Sequence, residues 1–246
     1  MPSNSMERQF AMKESSTRIK PEEFKLWNDK MIKKYDPDAF HHHSSTIIRF
    51  IESKRVRAIV KLMDKHYKEG RVLEVGCGAG NILEKVPLLD LFGIDISAFI
   101  LSKAKEKLKK KALLLQADAQ SLPFKGQVFK QVICSEVLEH LLNPMISLQE
   151  IKRILGHQGV AIISIPNESL INRIKSILIR VGIFKLLFQR KESYSKIPER
   201  MEEEWHLHAF CLEEWLDLFK EFFRVTYLRR IPFFWLPLRY VIRLER

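Results

Sequence analysis

The most constraining feature of this 246-residue chain is the segment 71–81, RVLEVGCGAGN. Three of the four residues 72–75 are apolar, glycine follows at positions 76, 78 and 80, and apolar residues resume at Ile82 and Leu83. This order predicts a buried strand, a tight turn and a helix. Because glycine tolerates positive φ and has no Cβ, a ligand can lie directly on the main chain of such a turn.

The spacing of the glycines separates two classes of cofactor site. A dinucleotide-binding turn follows G-x-G-x-x-G, and its third glycine would fall at position 81, where this chain has asparagine. The observed E-x-G-x-G-x-G resembles the first motif of the class I S-adenosylmethionine-dependent methyltransferases. The resemblance implies that Glu74 lies near the charged methionine end of the cofactor. The residues implied to pass beneath its methionine and ribose are Gly76, Cys77, Gly78 and Gly80. For an isolated motif, a turn that serves only packing is the alternative.

A carboxylate follows the second predicted strand. Asp95 ends the apolar run 91–95 and lies 21 positions after Glu74, close to the offset of the ribose-binding acid in doubly wound folds. The resemblance assigns the ribose hydroxyls of the cofactor to Asp95, with Ile96 beside it. Capping of the next helix is a weaker alternative for Asp95, because Ser97 can provide the cap.

A second carboxylate follows the third predicted strand, 112–117, which we expect to be buried. The resemblance assigns the adenine of the cofactor to Asp118 and to the backbone N–H of Ala119. The segment 122–124, LPF, resembles one common in the small-molecule branch of the same family. Three motifs in the expected order and spacing are a much stronger indication than any one of them.

The fourth predicted strand, 128–134, leads into SEVLEH at 135–140. This segment resembles the E-V-x-E-H segment of small-molecule O- and C-methyltransferases, such as those of quinone biosynthesis. Glu136 and Val137 are expected to line the cofactor site. His140 is the candidate general base, because imidazole titrates near neutral pH; packing beneath the site is the alternative role. Methyltransferases that act on nucleic-acid bases usually have Asn/Asp-Pro-Pro-Tyr/Phe here, so a nucleic-acid substrate is not expected.

The remaining pattern predicts an α/β fold: a Rossmann-like, doubly wound, seven-stranded and mostly parallel sheet, with an N-terminal helical cap and an inserted amphipathic helix. We assign residues 1–20 to a flexible tail, 21–65 to the cap and 66–246 to the S-adenosylmethionine-binding domain, with 168–204 as the insertion. Residues 223–230 and 236–244 are predicted as the last two strands, the second antiparallel.

Composition limits the cellular context. The three cysteines form no C-x-x-C pair, and no stretch has the apolar length of a signal peptide or a membrane span, so a cytoplasmic protein is expected. The net charge of +12 favours anionic partners without choosing among nucleic acid, membrane and acidic small molecules. The lysine-rich predicted helix 97–110 is expected to present a solvated outer face.

The cap contains aromatic residues that could line a substrate pocket. Family members often fold such a segment over the site, which makes Trp27, Tyr35 and Phe40 candidates, with Tyr35 the preferred one. Simple covering of the sheet edge is an equal alternative. The run of three histidines at 41–43 is better explained by an exposed loop than by a metal site.

The insertion carries positive charge without an acid over 170–191. Its apolar residues follow a helical period over 170–188, which suits either an anionic membrane surface or a lid over a lipid-like substrate. Ubiquinone-biosynthesis O-methyltransferases, which the chain resembles, have an insertion here that is linked to membrane contact. The apolar connection 231–237 is a second candidate membrane element.

Two histidines follow the insertion. His206 and His208 are two apart on a predicted extended stretch and would share a face, so both are assigned to the substrate pocket. A metal site that adds an acid from 202–204 is less favoured, and no metal ligand is assigned.

Together these patterns predict an S-adenosyl-L-methionine-dependent methyltransferase that acts on a small or lipid-linked acceptor, with oxygen the expected acceptor atom. The alternatives are an RNA or protein methyltransferase, which the net charge would favour, and a degenerate methyltransferase fold that serves as a membrane or interaction module. The oligomeric state is left open.

Overall fold

The computed structural model describes residues 19–38, 45–63, 70–87, 90–183 and 205–246. Almost all of the predicted tail therefore lies outside the described residues. So do Phe40, the three histidines at 41–43, the end of the predicted 170–188 helix and the acids at 202–204.

Seven strands form one sheet with the order β3-β2-β1-β4-β5-β7-β6. The strands are β1 (Val72–Val75), β2 (Leu91–Asp95), β3 (Ala112–Gln116), β4 (Phe129–Ser135), β5 (Leu155–Pro166), β6 (Arg224–Phe233) and β7 (Leu236–Glu245). The strands β1 to β5 pair in parallel, whereas β7 pairs antiparallel with both β5 and β6. The predicted sheet, including its antiparallel last strand, is confirmed.

Six α-helices are described: α1 (Pro21–Tyr35), α2 (Thr46–Leu62), α3 (Ala98–Leu108), α4 (Pro144–Ile154), α5 (Glu168–Arg180) and α6 (Leu212–Phe222). Asn143 caps α4, because its Oδ1 accepts hydrogen bonds from the backbone N–H groups of Met145 and Ile146 at 3.0 and 3.3 Å. No helix within these described ranges has the length and apolar content that crossing a bilayer requires.

The helices cover both faces of the sheet and bury two apolar clusters. On one face α4 and α6 contribute Leu148, Trp215 and Phe219, all of which are fully buried. On the other face α2 and α3 contribute Ile59 and Leu108. Helices on both sides leave the carboxyl ends of the parallel strands as the place where a ligand can reach the sheet.

The helix predicted after the glycine turn is much shorter than expected. Only a 3-10 helix, Leu83–Lys85, follows the turn, and the chain is extended at Val86 with a ψ of 122°. The residue before a proline is driven out of the α region, and Pro87 follows Val86 directly. The prediction of a helix here was therefore wrong in length.

The third strand was predicted to be buried, and the structure shows that only one of its faces is. Because β3 is at the edge of the sheet, it has a single paired neighbour. Leu114 packs into the core, whereas Leu113 and Leu115 are 52% and 37% exposed on the opposite face.

The last two strands extend further than predicted and form a tight hairpin. Phe233 pairs with Leu236, so the predicted connection 231–237 is reduced to a turn of two residues, Phe234 and Trp235. Both turn residues are exposed at this tip.

The packing predicts which face of α4 stabilises the fold. Leu148 is completely buried, whereas Ile146 on the same helix is 41% exposed. Leu148→Ala should lower the free energy of unfolding by about 2–5 kcal/mol, because it removes apolar contacts and leaves a cavity. Ile146→Ala should change it by less than about 0.5 kcal/mol. Urea unfolding monitored by circular dichroism measures both, and equal losses would contradict this account of the core.

Candidate active site

A cavity of about 610 Å³ opens at the carboxyl ends of β1, β2 and β4. One half is lined by the glycine turn and by the acids that follow the strands. The other half is lined by α2, α5, β7 and the segment 205–206. Ten of the eleven residues predicted to bind the cofactor line the cavity: Glu74, Gly76, Cys77, Gly78, Asp95, Ile96, Asp118, Ala119, Glu136 and Val137.

The glycine turn forms one wall of the cavity, and two of its glycines are required for different reasons. Gly76 and Gly78 have φ values of +68° and +50°, which disfavour any side chain. A Cβ at Gly76 would lie 2.3 Å from Cγ2 of Val137. A Cβ at Gly78 would have no closer neighbour than Cγ1 of Ile100, at 4.0 Å. The bare backbone at Gly78 therefore keeps open a space that a side chain would fill.

Gly80 is predicted to contact the cofactor, but it does not line the cavity. A Cβ on Gly80 would lie 2.6 Å from Cδ1 of Leu108 in α3. Its φ of +76° also favours glycine. Gly80 therefore supports the turn by allowing α3 to pack against it.

Glu74 lies at the end of β1 and is only 2% exposed. Its Oε2 has no hydrogen-bond partner among the described residues, although it lies on the cavity wall. Burial raises the pKa of Glu74 to about 8, and nearby Arg55 only partly opposes this shift. A buried carboxylate oxygen without a partner is costly, so this site is suited to a cationic ligand.

Asp95 lies at the end of β2 and fixes the local backbone. One carboxylate oxygen accepts from the N–H of Gly78 at 2.9 Å, and the other accepts from the N–H of Ser97 at 3.0 Å. Burial raises the pKa of Asp95 to about 6 despite these bonds. We disfavoured a capping role for Asp95 because Ser97 could cap α3. The Ser97 side chain makes no capping hydrogen bond to α3, so that argument was wrong. Asp95 holds the glycine turn and the start of α3 together.

The residues predicted to hold the adenine also line the cavity. The carboxylate of Asp118 accepts a hydrogen bond from the backbone N–H of Gln120 at 2.8 Å. Asp118 and Ala119 line the cavity on the side of Ile96. Cys77, within the glycine turn, is buried, and burial raises the pKa of its thiol well above the ordinary value.

Glu136, directly after β4, adopts an unusual backbone conformation. Its φ of +55° places a non-glycine residue in the left-handed region, which costs free energy and is typical of functional sites. Its carboxylate accepts from the Ser164 hydroxyl at 2.9 Å and pairs with Nε of Arg239 at 2.6 Å. Glu136 therefore lies on the cavity floor as part of an ion pair.

Arg55 is a site residue that the sequence analysis missed. It extends from α2 to the hydroxyl of Ser135 at the end of β4 and also pairs with Glu52 on its own helix. Burial opposes the charged form of Arg55, but Glu52 and Glu136 outweigh it, and the pKa stays above its ordinary value. An arginine on the apolar face of a cap helix, three residues after a glutamate, was the signal that could have revealed it.

His140 lines the cavity within a cluster of rings. Its Nδ1 lies 3.3 Å from the carbonyl oxygen of Trp205, and its ring centroid is 4.5 Å from that of Trp205 and 4.6 Å from that of His206. Burial, and next the charge of His206, lower the pKa of His140 well below its ordinary value. His140 is therefore neutral near pH 7.

His206 lines the cavity and has a carboxylate partner. Its Nδ1 lies 2.5 Å from Oε1 of Glu168 at the start of α5. Burial alone would raise the pKa of Glu168, but the contact with His206 outweighs it, and the pKa is lowered. The two residues form a buried pair that faces His140.

Glu139 is a second buried carboxylate on the cavity wall and is only 1% exposed. Its Oε2 has no hydrogen-bond partner among the described residues. Burial, and next the charge of Glu136, raise the pKa of Glu139 well above its ordinary value. Its backbone carbonyl accepts from the N–H groups of Leu207 and His208 at 2.8 and 3.2 Å, which anchors the segment that carries His206.

Two residues predicted to contact the substrate lie behind the cavity wall. Tyr35 stacks on Trp205 with ring centroids 5.6 Å apart, and it is Trp205 that faces the cavity. His208 is 3% exposed, and its Nε2 lies 2.8 Å from the carbonyl oxygen of Leu141. The segment 206–210 is not a regular strand, so His206 and His208 do not share a face as predicted.

The outer half of the cavity is apolar. The lining side chains there come from α2, α5 and β7 and are Ile47, Ile48, Ile51, Ile171, Ile174, Leu178, Leu236 and Leu238. The helix α5 also contributes Glu168 and Lys175 to the lining. Its three apolar lining residues recur at helical spacing, so one face of the predicted amphipathic helix turns inward. The cavity therefore has a polar floor and an apolar mouth.

The chain matches known proteins over its central part. Residues 73–163 match the family described as a methyltransferase domain. The chain is 33% identical over 137 residues to an uncharacterized protein of Methanocaldococcus jannaschii, which covers 55% of this chain and 59% of that protein. It is 26% identical over 146 residues to a ubiquinone biosynthesis O-methyltransferase of Pelagibacter ubique, with coverage of 55% and 60%. The chain thus spans about three fifths of the length of these two relatives.

Among solved structures, an S-adenosylmethionine-dependent methyltransferase of Thermotoga maritima, described as a possible histamine N-methyltransferase, shares the fold with a TM-score of 0.61. The two are 19% identical, and the match covers 90% of this chain and 99% of that one. The family match, the strand order and the E-x-G-x-G-x-G turn agree: residues 73–163 are similar to methyltransferase domains, and the chain has the fold of an S-adenosylmethionine-dependent methyltransferase.

Proposed function

We propose that this protein transfers the methyl group of S-adenosyl-L-methionine to an oxygen of a small acceptor that carries an apolar portion. One observation carries the proposal: the unpaired, buried Oε2 of Glu74 faces the same cavity as the bare backbone of Gly78 and the carboxylate of Asp95. When bound, S-adenosylmethionine supplies an electrophilic methyl group on a sulfonium.

The inner half of the cavity fits this cofactor. Glu74 would accept hydrogen bonds from the ammonium of the methionine part, which gives its orphaned oxygen a cationic partner. Asp95 would hold the ribose hydroxyls with its remaining acceptor capacity, since an ionised carboxylate offers about four lone-pair sites. Asp118 and the backbone N–H of Ala119 would hold the adenine.

The proton of the acceptor hydroxyl would pass to His206 rather than to the predicted His140. Glu168 lies 2.5 Å from Nδ1 of His206 and can orient the ring and stabilise its protonated form. His140 lacks a carboxylate of this kind among its described contacts, and its pKa is lowered well below the ordinary value by burial. We therefore assign His206 as the base. His140 lines the cavity beside it as a neutral side chain.

The apolar mouth supports an acceptor with a hydrocarbon portion. The isoleucines and leucines of α2, α5 and β7 would exclude water from such a group, and each buried methylene contributes about 0.8 kcal/mol. The match to a ubiquinone biosynthesis O-methyltransferase supports oxygen as the acceptor atom. An RNA acceptor is less favoured, because residues 135–140 after β4 are SEVLEH and lack the Asn/Asp-Pro-Pro-Tyr/Phe that methyltransferases acting on nucleic-acid bases usually have there.

A binding module that has lost catalysis is the alternative from another class. It is disfavoured because the turn, Glu74 and Asp95 retain the geometry that cofactor binding needs. Two measurements together separate the enzyme from the binding module. Calorimetry with S-adenosylhomocysteine measures binding. Transfer of labelled methyl from S-adenosylmethionine is then measured with a panel of phenols and carboxylic acids, each with and without an alkyl chain. Turnover with chain-bearing members supports the proposal, whereas binding without any turnover supports the module.

Asp95→Ala tests the cofactor site directly. The variant should bind S-adenosylhomocysteine roughly 10- to 150-fold more weakly, which is the effect of losing a hydrogen-bonding charged group worth about 1.5–3 kcal/mol. Asp90→Ala is the matched control, because Asp90 is exposed near the opposite end of the same strand, 3.4 Å from Arg71. Its affinity should equal that of the wild type. Undiminished binding by Asp95→Ala in isothermal titration calorimetry would defeat the cofactor assignment.

The pKa of about 8 for Glu74 predicts proton release on binding. In the free protein Glu74 is mostly neutral at pH 7, and pairing with an ammonium requires its ionised form, so binding should release close to one proton. Affinity should rise from pH 7 to 8 and level off above pH 8. Calorimetry in buffers of different ionisation enthalpy measures the release. Glu74→Gln should bind more weakly and release no proton; equal release by the variant would place the titrating group elsewhere.

His206→Ala should reduce the methylation rate of an acceptor found in the panel by about 10²–10⁴-fold, the usual contribution of a general base. Binding of S-adenosylhomocysteine should be unchanged, because His206 is assigned to the acceptor half of the cavity. His157→Ala is the control, since His157 is exposed in β5 away from the cavity lining. A rate loss below threefold in His206→Ala would remove His206 from the mechanism.

A further inference from the structure

The strand order places the tip of the β6–β7 hairpin beside the cavity mouth. Because β7 is antiparallel to both β5 and β6, β6 runs parallel to β5, and its carboxyl end lies at the ligand-binding edge of the sheet. Arg239 pairs with both Pro166 and Ile231, and the hairpin continues beyond that level to Phe234 and Trp235. The hairpin therefore projects past the edge at which the cavity opens.

The hairpin tip is strongly apolar and exposed. Phe234 is 79% exposed, Trp235 is 64% exposed and Phe233 is 39% exposed. Phe233 stacks on Trp235 with parallel rings 5.1 Å apart, which makes the tip one continuous aromatic surface. Such a cluster at the end of a two-residue turn contributes little to the core of this domain.

The aromatic surface continues onto α2. The rings of Phe50 and Phe233 lie 6.0 Å apart, and Phe50 is 42% exposed. Ile47, one turn earlier, is 47% exposed and also lines the cavity. We call these five residues the mouth rim: Ile47, Phe50, Phe233, Phe234 and Trp235.

The charges around the mouth rim have one sign. The three neighbouring segments, 45–54, 168–183 and 227–240, contain eight lysines and arginines and two acids. The two acids, Glu52 and Glu168, are both buried, and they pair with Arg55 and His206. The exposed cations among the eight are Arg49, Arg173, Arg180, Arg229 and Arg230. The surface around the rim is therefore positive in its described part.

We propose that the mouth rim docks on an anionic membrane surface, with Phe234 and Trp235 inserted at the level of the lipid headgroups and the surrounding arginines on the anionic lipids. Tryptophan is favoured at membrane interfaces because its ring is apolar and its N–H is polar. Each lysine or arginine near an anionic leaflet adds to the electrostatic attraction. The proposal does not depend on the identity of the methyl acceptor or on methyl transfer itself.

This orientation would also bring the cavity mouth onto the bilayer. Ile47 belongs both to the rim and to the cavity lining, and Leu236, the first residue after the tip, lines the cavity as well. An apolar path thus leads from the exposed tip to the inside of the cavity. A protein partner would bury the same aromatic residues. However, the exposed charges in the described part of the surround are all positive, which is the complement of a surface with dispersed negative charge.

Vesicle flotation with the full chain tests the proposal. Vesicles of phosphatidylcholine alone and of phosphatidylcholine with 30% phosphatidylglycerol, roughly the anionic content of a charged leaflet, are compared at low salt. The wild type should float with the anionic vesicles at least about tenfold more than with the neutral ones. Phe234→Ser combined with Trp235→Ser should lower anionic-vesicle binding about tenfold or more, because two exposed aromatic rings are lost. Arg229→Glu combined with Arg230→Glu should lower it similarly.

The control removes two exposed apolar side chains outside the mouth rim. Leu26 on α1 is 76% exposed and Leu113 lies on β3, at the opposite edge of the sheet from β6. Leu26→Ser combined with Leu113→Thr should bind vesicles like the wild type. If the wild type binds S-adenosylhomocysteine, all variants should bind it with the same affinity. Retained affinity shows that the variants are folded. It also separates this test from that of the methyltransferase assignment.

A second readout locates the contact. Trp235 fluorescence, isolated by comparison with Trp235→Phe, should shift to shorter wavelength on anionic vesicles and be quenched by brominated lipid. Absence of wild-type binding to either vesicle, equal binding by the Phe234/Trp235 double variant, or an equal loss in the Leu26/Leu113 control would overturn the proposal. Binding to a protein partner in the absence of vesicle binding would assign the rim to that partner.

Discussion

The site depends on one buried guanidinium. Arg55 links the cap helix α2 to the ends of β4 and β5 through Ser135 and, at 3.5 Å, Ser164. Removing a charge of this kind from water costs several kcal/mol, and the cost is offset only when carboxylates and hydroxyls surround it. Glu52 and Glu136 provide that environment. The position of α2 over the cavity is therefore fixed by the ion pairs and hydrogen bonds of Arg55 as well as by apolar packing.

The same floor contains more carboxylates than its cations can pair. Arg55 and Arg239 are engaged with Glu52 and Glu136, whereas Glu74 and Glu139 each retain an oxygen without a hydrogen-bond partner among the described residues. Burial raises the pKa of both acids, which disfavours their ionised forms in the free protein. A cationic ligand beside them would recover the free energy of their ionised forms. These two carboxylates therefore favour a cationic ligand over a neutral or anionic one at this site.

The parts of the site that are contained in one short segment could be predicted from sequence, because the residue pattern of that segment alone indicates its structure. The glycine turn needs positive φ at fixed positions, and Asp95 follows a short apolar strand, so both could be located without knowledge of the fold. Arg55, Glu168 and Trp205 could not be located this way, since their roles depend on contacts with segments far along the chain. His208 was misplaced because the rule of alternation applies to regular strands, and the segment around it is irregular. The short helix after Gly80 was misread because the effect of Pro87 on Val86 was not weighed.

The helix α5 shows why sequence left its role undecided between a lid and a membrane element. Ile171, Ile174 and Leu178 line the cavity, whereas Ile177 and Ile179 are 52% and 40% exposed on the outside. The apolar surface of α5 is wider than the face that packs inward, so part of it stays exposed to solvent. A helical period in the sequence reports only that the helix is amphipathic. The structure assigns the inner face to the cavity. The outer face lies in the same positively charged surround as the hairpin tip, so one helix can close the cavity on one side and meet an anionic surface on the other.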